Sequence, residues 1–337
     1  MKRFRKILFP IALLYGVITS VRNFLYDRNI LKSTVFDMPI IAVGNLSVGG
    51  TGKTPMVEYL VRLFSPQYRL VTLSRGYKRK SKGFLLAAAD TKMEEIGDEP
   101  FQYHSKFKNI DVAVAIDRVE GVTKTLEFLP ETHLILLDDA FQHRRIKAGF
   151  NILLSSYNDL FYKDYLLPVG NLRESRSGVQ RADMVVVTKC PSRLSVEEMK
   201  TIKKNVGLAP ENIFFTTIQY STEVFNQQES IKLKDLASDF IAVAGIAKPK
   251  YFYEYLKCPK ENCLTFPDHH AFTEKELVKI LNKANGKKII TTEKDYMRLQ
   301  GRLPDNQLYY VPIEVRFLED EFSFVEKLKA FITLYQP

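Results

Sequence analysis

A chain of 337 residues with 45% hydrophobic and 26% charged side chains is long enough for two folded domains, which excludes a disordered or low-complexity protein. Its three cysteines, Cys190, Cys258 and Cys263, are too few and too scattered for a disulfide framework, and this points to a reducing compartment. The formal net charge of +10 is concentrated in residues 1–33 and 69–82, each with a local net of +6, a pattern suited to a polyanion such as nucleic acid, an anionic membrane or an acidic lipid.

The N-terminal basic cluster frames an uncharged run from Ile7 to Ile18, followed by Val21, Phe24, Leu25 and Tyr26 on a helical repeat. A full membrane span needs about 20 apolar residues, and this run falls short unless Thr19 and Ser20 are counted. Residues 1–33 are therefore expected to form a membrane-associated helix, amphipathic and basic, that lies on the bilayer. A packed core helix is the alternative.

The next run, Pro39 to Gly44, reads as a buried parallel strand. It leads into Ser47-Val48-Gly49-Gly50-Thr51-Gly52-Lys53-Thr54, and then into a helical pattern with Met56, Val57, Leu60, Val61 and Phe64 on one face. Strand, glycine-rich loop and helix in this order are the context of a P-loop, with Ser47 at the first glycine position. Such a loop curls its N–H groups around phosphate, while Lys53 can reach the β/γ-phosphates and Thr54 can hold Mg²⁺. The expected cofactors are ATP and Mg²⁺.

Apolar runs at Leu70 to Leu73, Val112 to Ala115, Leu134 to Leu137, Ile152 to Leu154 and Met184 to Val187 alternate with helical patterns. This predicts an α/β fold, a P-loop kinase domain over residues 34–220 with a mostly parallel sheet and functional loops beyond the strand ends. The run ending in Asp138-Asp139 has the form of a Walker B element, whose paired carboxylates hold Mg²⁺ directly or through water. Just beyond it, Gln142 and His143 stand where substrate or phosphate can be met, or where they cap a turn. A polar stretch at 221–240 suggests a linker, and 241–337 a smaller C-terminal α/β domain. Cys258 and Cys263, with His269 and His270 beyond them, lack the tight paired spacing of a structural zinc site.

Several motifs occur in one order. They are Val43-Gly44-Asn45-Leu46-Ser47 through Thr54-Pro55, Leu73-Ser74-Arg75-Gly76-Tyr77, Gly97-Asp98-Glu99-Pro100, Leu137 through His143, Leu167 through Glu174, Phe266-Pro267-Asp268-His269 and Thr291 through Asp295. In these the chain resembles the tetraacyldisaccharide 4′-kinases, the membrane-associated lipid A 4′-kinases, over nearly its whole length. The resemblance implies transfer of the ATP γ-phosphate to the 4′-hydroxyl of an acylated glucosamine disaccharide 1-phosphate, the anionic lipid A precursor. It implies an enzyme on the cytoplasmic face of the inner membrane, peripheral or monotopic, with no obligate protein partner readable.

By the same resemblance, Asp98 receives the sugar hydroxyl proton with His269 as its partner, and Lys53 completes the catalytic set. Thr54, Asp138 and Asp139 are the metal candidates, with Glu99 and Glu174 as further carboxylates. Arg75, Tyr77, Gln142, His143, Arg173 and Glu174 are expected toward the lipid substrate. Asp98 would come from the first domain and His269 from the second. Two other classes fit less well. A P-loop GTPase switch would need [NT]-K-x-D, and Thr188-Lys189-Cys190-Pro191 has proline in place of the aspartate. A nucleic-acid-dependent ATPase would account for the charge and leave the apolar N-terminal run unexplained, so no nucleic-acid partner is expected.

Overall fold

The computed structural model describes residues 5–236, 239–268 and 270–335. After helix α1 (Phe9–Asp27), the strands β1 (Ile40–Asn45), β2 (Leu70–Ser74), β3 (Leu85–Leu86), β4 (Asp111–Val114), β5 (Leu134–Asp138), β6 (Phe150–Ser156), β7 (Met184–Thr188) and β8 (Ile213–Tyr220) follow. Between them lie the helices α2 (Lys53–Phe64), α3 (Met93–Ile96), α4 (Asp98–Lys106), α5 (Arg118–Phe128) and α6 (Val196–Val206). The chain then runs through β9 (Glu223–Phe225), β10 (Ser230–Lys232), β11 (Phe240–Ala244), α7 (Lys250–Leu256), β12 (Cys263–Thr265), α8 (Glu274–Ala284), β13 (Lys288–Thr292), α9 (Glu293–Leu299) and β14 (Leu308–Val311). It closes with β15 (Ile313–Phe317) and α10 (Glu321–Thr333).

The chain falls into two compact units, one drawn from Met1–Ile96, Tyr103–Ile218 and Val315–Pro337, the other from Gly97–Gln102 and Gln219–Glu314. The first contains a nine-stranded sheet in the order β15-β8-β7-β6-β1-β5-β2-β4-β3. Every pairing from β4 through β8 is parallel, and β3 is antiparallel to its neighbour β4. Strands β1, β2, β5 and β7 are buried at every position, because helices cover both faces of a parallel sheet. That is why they read in sequence as continuous apolar runs rather than as alternation.

On one face, Met56, Val57, Leu60, Val61 and Phe64 of α2 pack in one core with Ile41, Val43, Leu134 and Leu136. The same core takes Phe324, Leu328, Phe331 and Ile332 of α10, so the C-terminal segment belongs to the first unit. In register, Val43 of β1 lies opposite Asp138 of β5, which brings the ends of the P-loop strand and the acidic strand together. From β1 the chain first builds outward on the β5 side and later on the β6 side. The loop after β1 therefore sits at a topological switch point, where open α/β sheets bind ligands.

The second unit contains a six-stranded sheet, β10-β9-β14-β13-β11-β12, parallel from β14 to β12 and antiparallel at β9 and β10. Its core includes Val224, Phe240, Ala242, Phe252, Ile290, Tyr309 and Val311. Three boundaries differ from the sequence expectation, the first being that the second unit ends at Glu314 rather than at 337, because α10 packs into the core of the first unit. The stretch 221–240 is not a bare linker, since it supplies β9 and β10 to this sheet. Residues 97–102 join the second unit because Asp98 and Glu99 are held there by Arg298 and Lys294. Asp98 thus does not belong to the P-loop unit.

Helix α2 carries one buried charge. Glu58 is 1% exposed and accepts hydrogen bonds from Lys106 Nζ at 2.6 Å and Arg62 Nη2 at 3.2 Å. Removing the carboxylate takes the paired charge away from a largely buried ammonium, a loss of about 3–5 kcal/mol. Glu58→Ala should lower the chemical denaturation midpoint accordingly, and an unchanged midpoint would show that the pair contributes nothing.

Candidate active site

The P-loop runs from Leu46 to Gly52, between β1 and α2. Gly49 at φ +111° and Gly52 at φ +89° adopt backbone conformations that side chains disfavour, so glycine is needed at both. The loop's carbonyls are engaged from outside. Lys189 Nζ donates to Gly50 O at 2.6 Å, and Thr188 Oγ1 donates to Thr51 O at 2.7 Å. Asn45 Nδ2 donates to Thr51 Oγ1 at 2.7 Å. The segment 171–173 braces the other end, with Val48 N donating to Asn171 O at 2.8 Å and Arg173 N to Leu46 O at 2.7 Å. Outward-held carbonyls fit a loop that offers its N–H groups to an anion.

Lys53 and Thr54 begin α2, where the helix dipole favours negative charge. Lys53 Nζ lies 3.5 Å from Asp139 Oδ1. Asp138 ends β5 and is 1% exposed, with Tyr103 OH donating to its Oδ2 at 3.2 Å. Asp139 turns the chain at φ +49° and takes Arg173 Nη1 at 3.0 and 3.1 Å on its two oxygens. Gly44 allows the return: a Cβ there would stand 2.6 Å from Phe141 Cβ.

Gln142 joins these groups into one network. Its Nε2 donates to Asn45 O at 2.8 Å and Glu174 Oε1 at 2.9 Å, and its Oε1 accepts from Arg173 at 3.3 Å. Glu174 is 3% exposed and also accepts from Arg181 at 2.9 Å and Asn23 at 2.7 Å. Both of its oxygens are thereby engaged in bracing the site. Helix α1 supplies part of this framework: Tyr15 OH donates to Arg173 O at 2.7 Å, and Arg22 donates to Gln142 O. Gly16 faces Leu166 so closely that a Cβ would come within 2.7 Å of it.

Arg75 and Tyr77 stand exposed after β2, and Lys78 lies over the Tyr77 ring at 5.6 Å. Arg79 turns back instead, donating to Val114 O, Ser81 Oγ and Gly83 O. In the second unit, Asp98 Oδ2 accepts from Arg298 and Glu99 Oε1 accepts from Lys294 at 2.9 Å. His269 lies outside the described residues.

Sequence reasoning missed Arg118. It is 1% exposed, and its guanidinium donates to Ala115 O at 2.6 Å and Asp138 O at 3.2 Å, tying α5 to the acidic strand end. Burial pushes its pKa down to about 10, while Asp138 and Asp139 oppose that fall. An arginine at the start of a helix carries no motif that would have revealed this. Thr188-Lys189 had a signal, since it was met as an incomplete guanine motif.

Among the described residues no group of three or more His, Cys, Asp or Glu side chains forms a metal cage. The donors gathered around the P-loop are a hydroxyl, Thr54, and the carboxylates of Asp138 and Asp139. Hard oxygen donors in that small number fit Mg²⁺, which completes its shell with water and substrate phosphates.

A sequence model of the family "Tetraacyldisaccharide-1-P 4'-kinase" matches residues 4–333. The chain belongs to the tetraacyldisaccharide 4′-kinase family. It is 55% identical to the tetraacyldisaccharide 4′-kinase of Flavobacterium johnsoniae, over 98% of both chains. To that of Flavobacterium psychrophilum it is 50% identical over 97% of both. Among solved structures it is similar to LpxK from Aquifex aeolicus, described as an "apo" form in complex with ATP. The TM-score is 0.79 and the identity 32%, covering 98% of this chain and 99% of that one. The P-loop, the mostly parallel sheet and the apolar N-terminal helix agree with membership of this family.

The network also sets an ionisation. Burial, then the charges of Arg118 and Arg75, push the His143 imidazole down to about 4, with Asp117 opposing and Arg22 adding to the effect. An unfolded histidine titrates near 6.5. Between about pH 6.5 and pH 4 the unfolded chain therefore binds a proton that the folded chain refuses, and stability falls as pH falls. A His143→Gln variant should lose less stability than the parent across that window in denaturation at a series of pH values. Parallel curves would contradict the shift.

Proposed function

We propose that this chain is an ATP-dependent lipid kinase, transferring the γ-phosphoryl group to the 4′-hydroxyl of an acylated glucosamine disaccharide 1-phosphate. The observation that carries the reading is the joining of the P-loop lysine, the paired carboxylates of β5 and the Gln142-Arg173-Glu174 network at one sheet edge, in a chain of this family. Phosphoryl transfer asks a protein mainly for positioning and for stabilisation of charge.

In this reading the P-loop N–H groups and Lys53 hold the β- and γ-phosphates. Thr54, Asp138 and Asp139 hold Mg²⁺, which when bound supplies positive charge to those phosphates. The Asp98 carboxylate takes the proton of the acceptor hydroxyl as its oxygen bonds to the γ-phosphorus and the bond to the β-phosphate oxygen breaks, releasing ADP. His269, two residues beyond Pro267, is its proposed partner. Arg173 restrains Asp139, and Glu174 serves as a brace rather than a ligand, because its oxygens are already taken. Arg75, Tyr77 and Lys78 are exposed and present charge and an aromatic ring to an anionic headgroup.

Helix α1 supports a membrane-surface reading. It is 19 residues long and long and apolar enough to cross a membrane by length and composition alone. Phe9, Ile11, Leu13, Leu14, Val17 and Ile18 on it are more than half exposed, while Tyr15, Arg22 and Asn23 bond to the site. A helix fixed to the site along one side and apolar on the other suits interfacial binding, on the cytoplasmic side where anionic lipids attract lysine and arginine.

Two measurements test this function. Purified protein with γ-labelled ATP, Mg²⁺ and detergent-dispersed disaccharide precursor should label the lipid, and Lys53→Ala should reduce transfer by at least about 100-fold, in line with the loss of one electrostatic group at a developing charge. Near-normal turnover in that variant would rule out the P-loop assignment. For the membrane, the double change Leu14→Asp and Ile18→Asp should weaken co-sedimentation with anionic vesicles at least about tenfold, since each removes one aliphatic side chain from the face offered to the bilayer. Undiminished binding would place the anchor elsewhere.

A further inference from the structure

The Thr291-Thr292-Glu293-Lys294-Asp295 segment has no role in the reaction described so far, yet it leads directly to Asp98. Thr292 caps α9, its Oγ1 accepting from Asp295 N at 3.3 Å and donating to Asp295 Oδ2 at 2.7 Å. The same carboxylate accepts from Gly245 N at 2.8 Å, just past the end of β11. Asp295 is fully buried, and its other oxygen accepts from Arg298 Nη1 at 3.0 Å. Arg298, with a side chain 6% exposed, then turns its remaining edge to Asp98, where Nε lies 3.0 Å from Oδ2 and Nη2 bonds to the same oxygen. One turn earlier on α9, Lys294 holds Glu99.

We propose that Arg298 is a positioning residue for phosphoryl transfer: through its fork it fixes the Asp98 carboxylate, and Asp295 fixes Arg298 in turn. The proposal rests on the reading of Asp98 as proton acceptor. A short carboxylate at the first position of a helix has more than one rotamer open to it, and a planar guanidinium held on its far side by a second, buried carboxylate selects one orientation. A lysine cannot hold two carboxylates in one plane in this way. Pro267 lies on the same scaffold, because a Cβ on Gly245 would stand 3.0 Å from Asp295 Oδ1 and 3.2 Å from Pro267 O. Phe266 N, moreover, donates to Ala244 O at 2.9 Å. Gly245 therefore joins the two motifs, and any side chain there would push Asp295 or Pro267 aside.

The charges around Asp98 decide how its titration responds. Arg298 and Lys294 on α9 favour its ionised form, Glu99 on its own helix opposes it, and Asp295 and Asp268 partly offset the two cations. Taking away Arg298 removes the cation in direct contact. The carboxylate then needs a higher pH to ionise, so the acidic limb of kcat/KM moves up.

The test compares Arg298→Ala and Arg298→Lys with the parent, alone and combined with Asp98→Asn, in the lipid phosphorylation assay across pH. Arg298→Ala should lower kcat at least about tenfold, a fraction of the range for a positioned proton acceptor. It should leave the KM for ATP within about twofold and shift the acidic limb upward by about one pH unit. Arg298→Lys should recover part of the turnover and most of the shift, and it serves if the alanine variant does not fold. In the Asp98→Asn background, either change should cost little more, as expected when one residue acts only through the other. An unmoved acidic limb with normal turnover, or losses that multiply in the double variants, would overturn the role of Arg298. Full activity in Asp98→Asn alone would instead overturn the proton-acceptor reading itself.

Discussion

Burial of β1 between β5 and β6 is the constraint on which the catalytic end of the first unit depends. A strand with helices on both faces has no tolerance for polar side chains along its length, so its polar groups gather where it ends. Asn45 is the last residue of β1, and its neighbour β5 ends at Asp138, which lies opposite Val43, two residues before Asn45. The two strands thus present amide, hydroxyl, ammonium and carboxylate groups at a single edge. Everything added there, from Gln142 to Arg173, is bonded back to one of those two strand ends.

That edge is closed by parts distant in sequence. Thr188 and Lys189 reach the P-loop from β7, the 171–173 segment from beyond β6, and Arg22 and Tyr15 from the N-terminal helix. The last of these gives α1 two roles, since it braces the site with one face and offers apolar side chains with the other. In the proposed reading, a kinase whose acceptor is an amphiphile gains from that coupling, because a helix meeting the bilayer would also contact the residues beside the P-loop.

Much of this was legible in the chain. The apolar runs gave the parallel strands, and the glycine pattern after the first gave the phosphate loop, because in both cases a local pattern determines the structure. The second unit was harder to bound. The stretch 221–240 looks like a linker because β9 and β10 are only three residues each, too short to show a readable pattern. Asp98 looked like part of the first domain by its place in sequence, whereas its ion pair with Arg298, 200 residues away, and that of Glu99 with Lys294 hold it in the second unit. Arg118, Lys189 and Arg298 act by long-range contacts to backbone or carboxylate groups, and no periodicity or spacing reports such contacts.

The central claim is a regiospecific transfer, and the position of the new phosphate tests it most directly. Purified lipid product from an incubation with ATP and Mg²⁺ should show, in proton-phosphorus correlation spectra, one new phosphomonoester coupled to the proton on the 4′-carbon, beside the phosphate already at position 1. ATP consumption without a new lipid phosphorus signal, or a signal coupled to any other sugar position, would contradict the account.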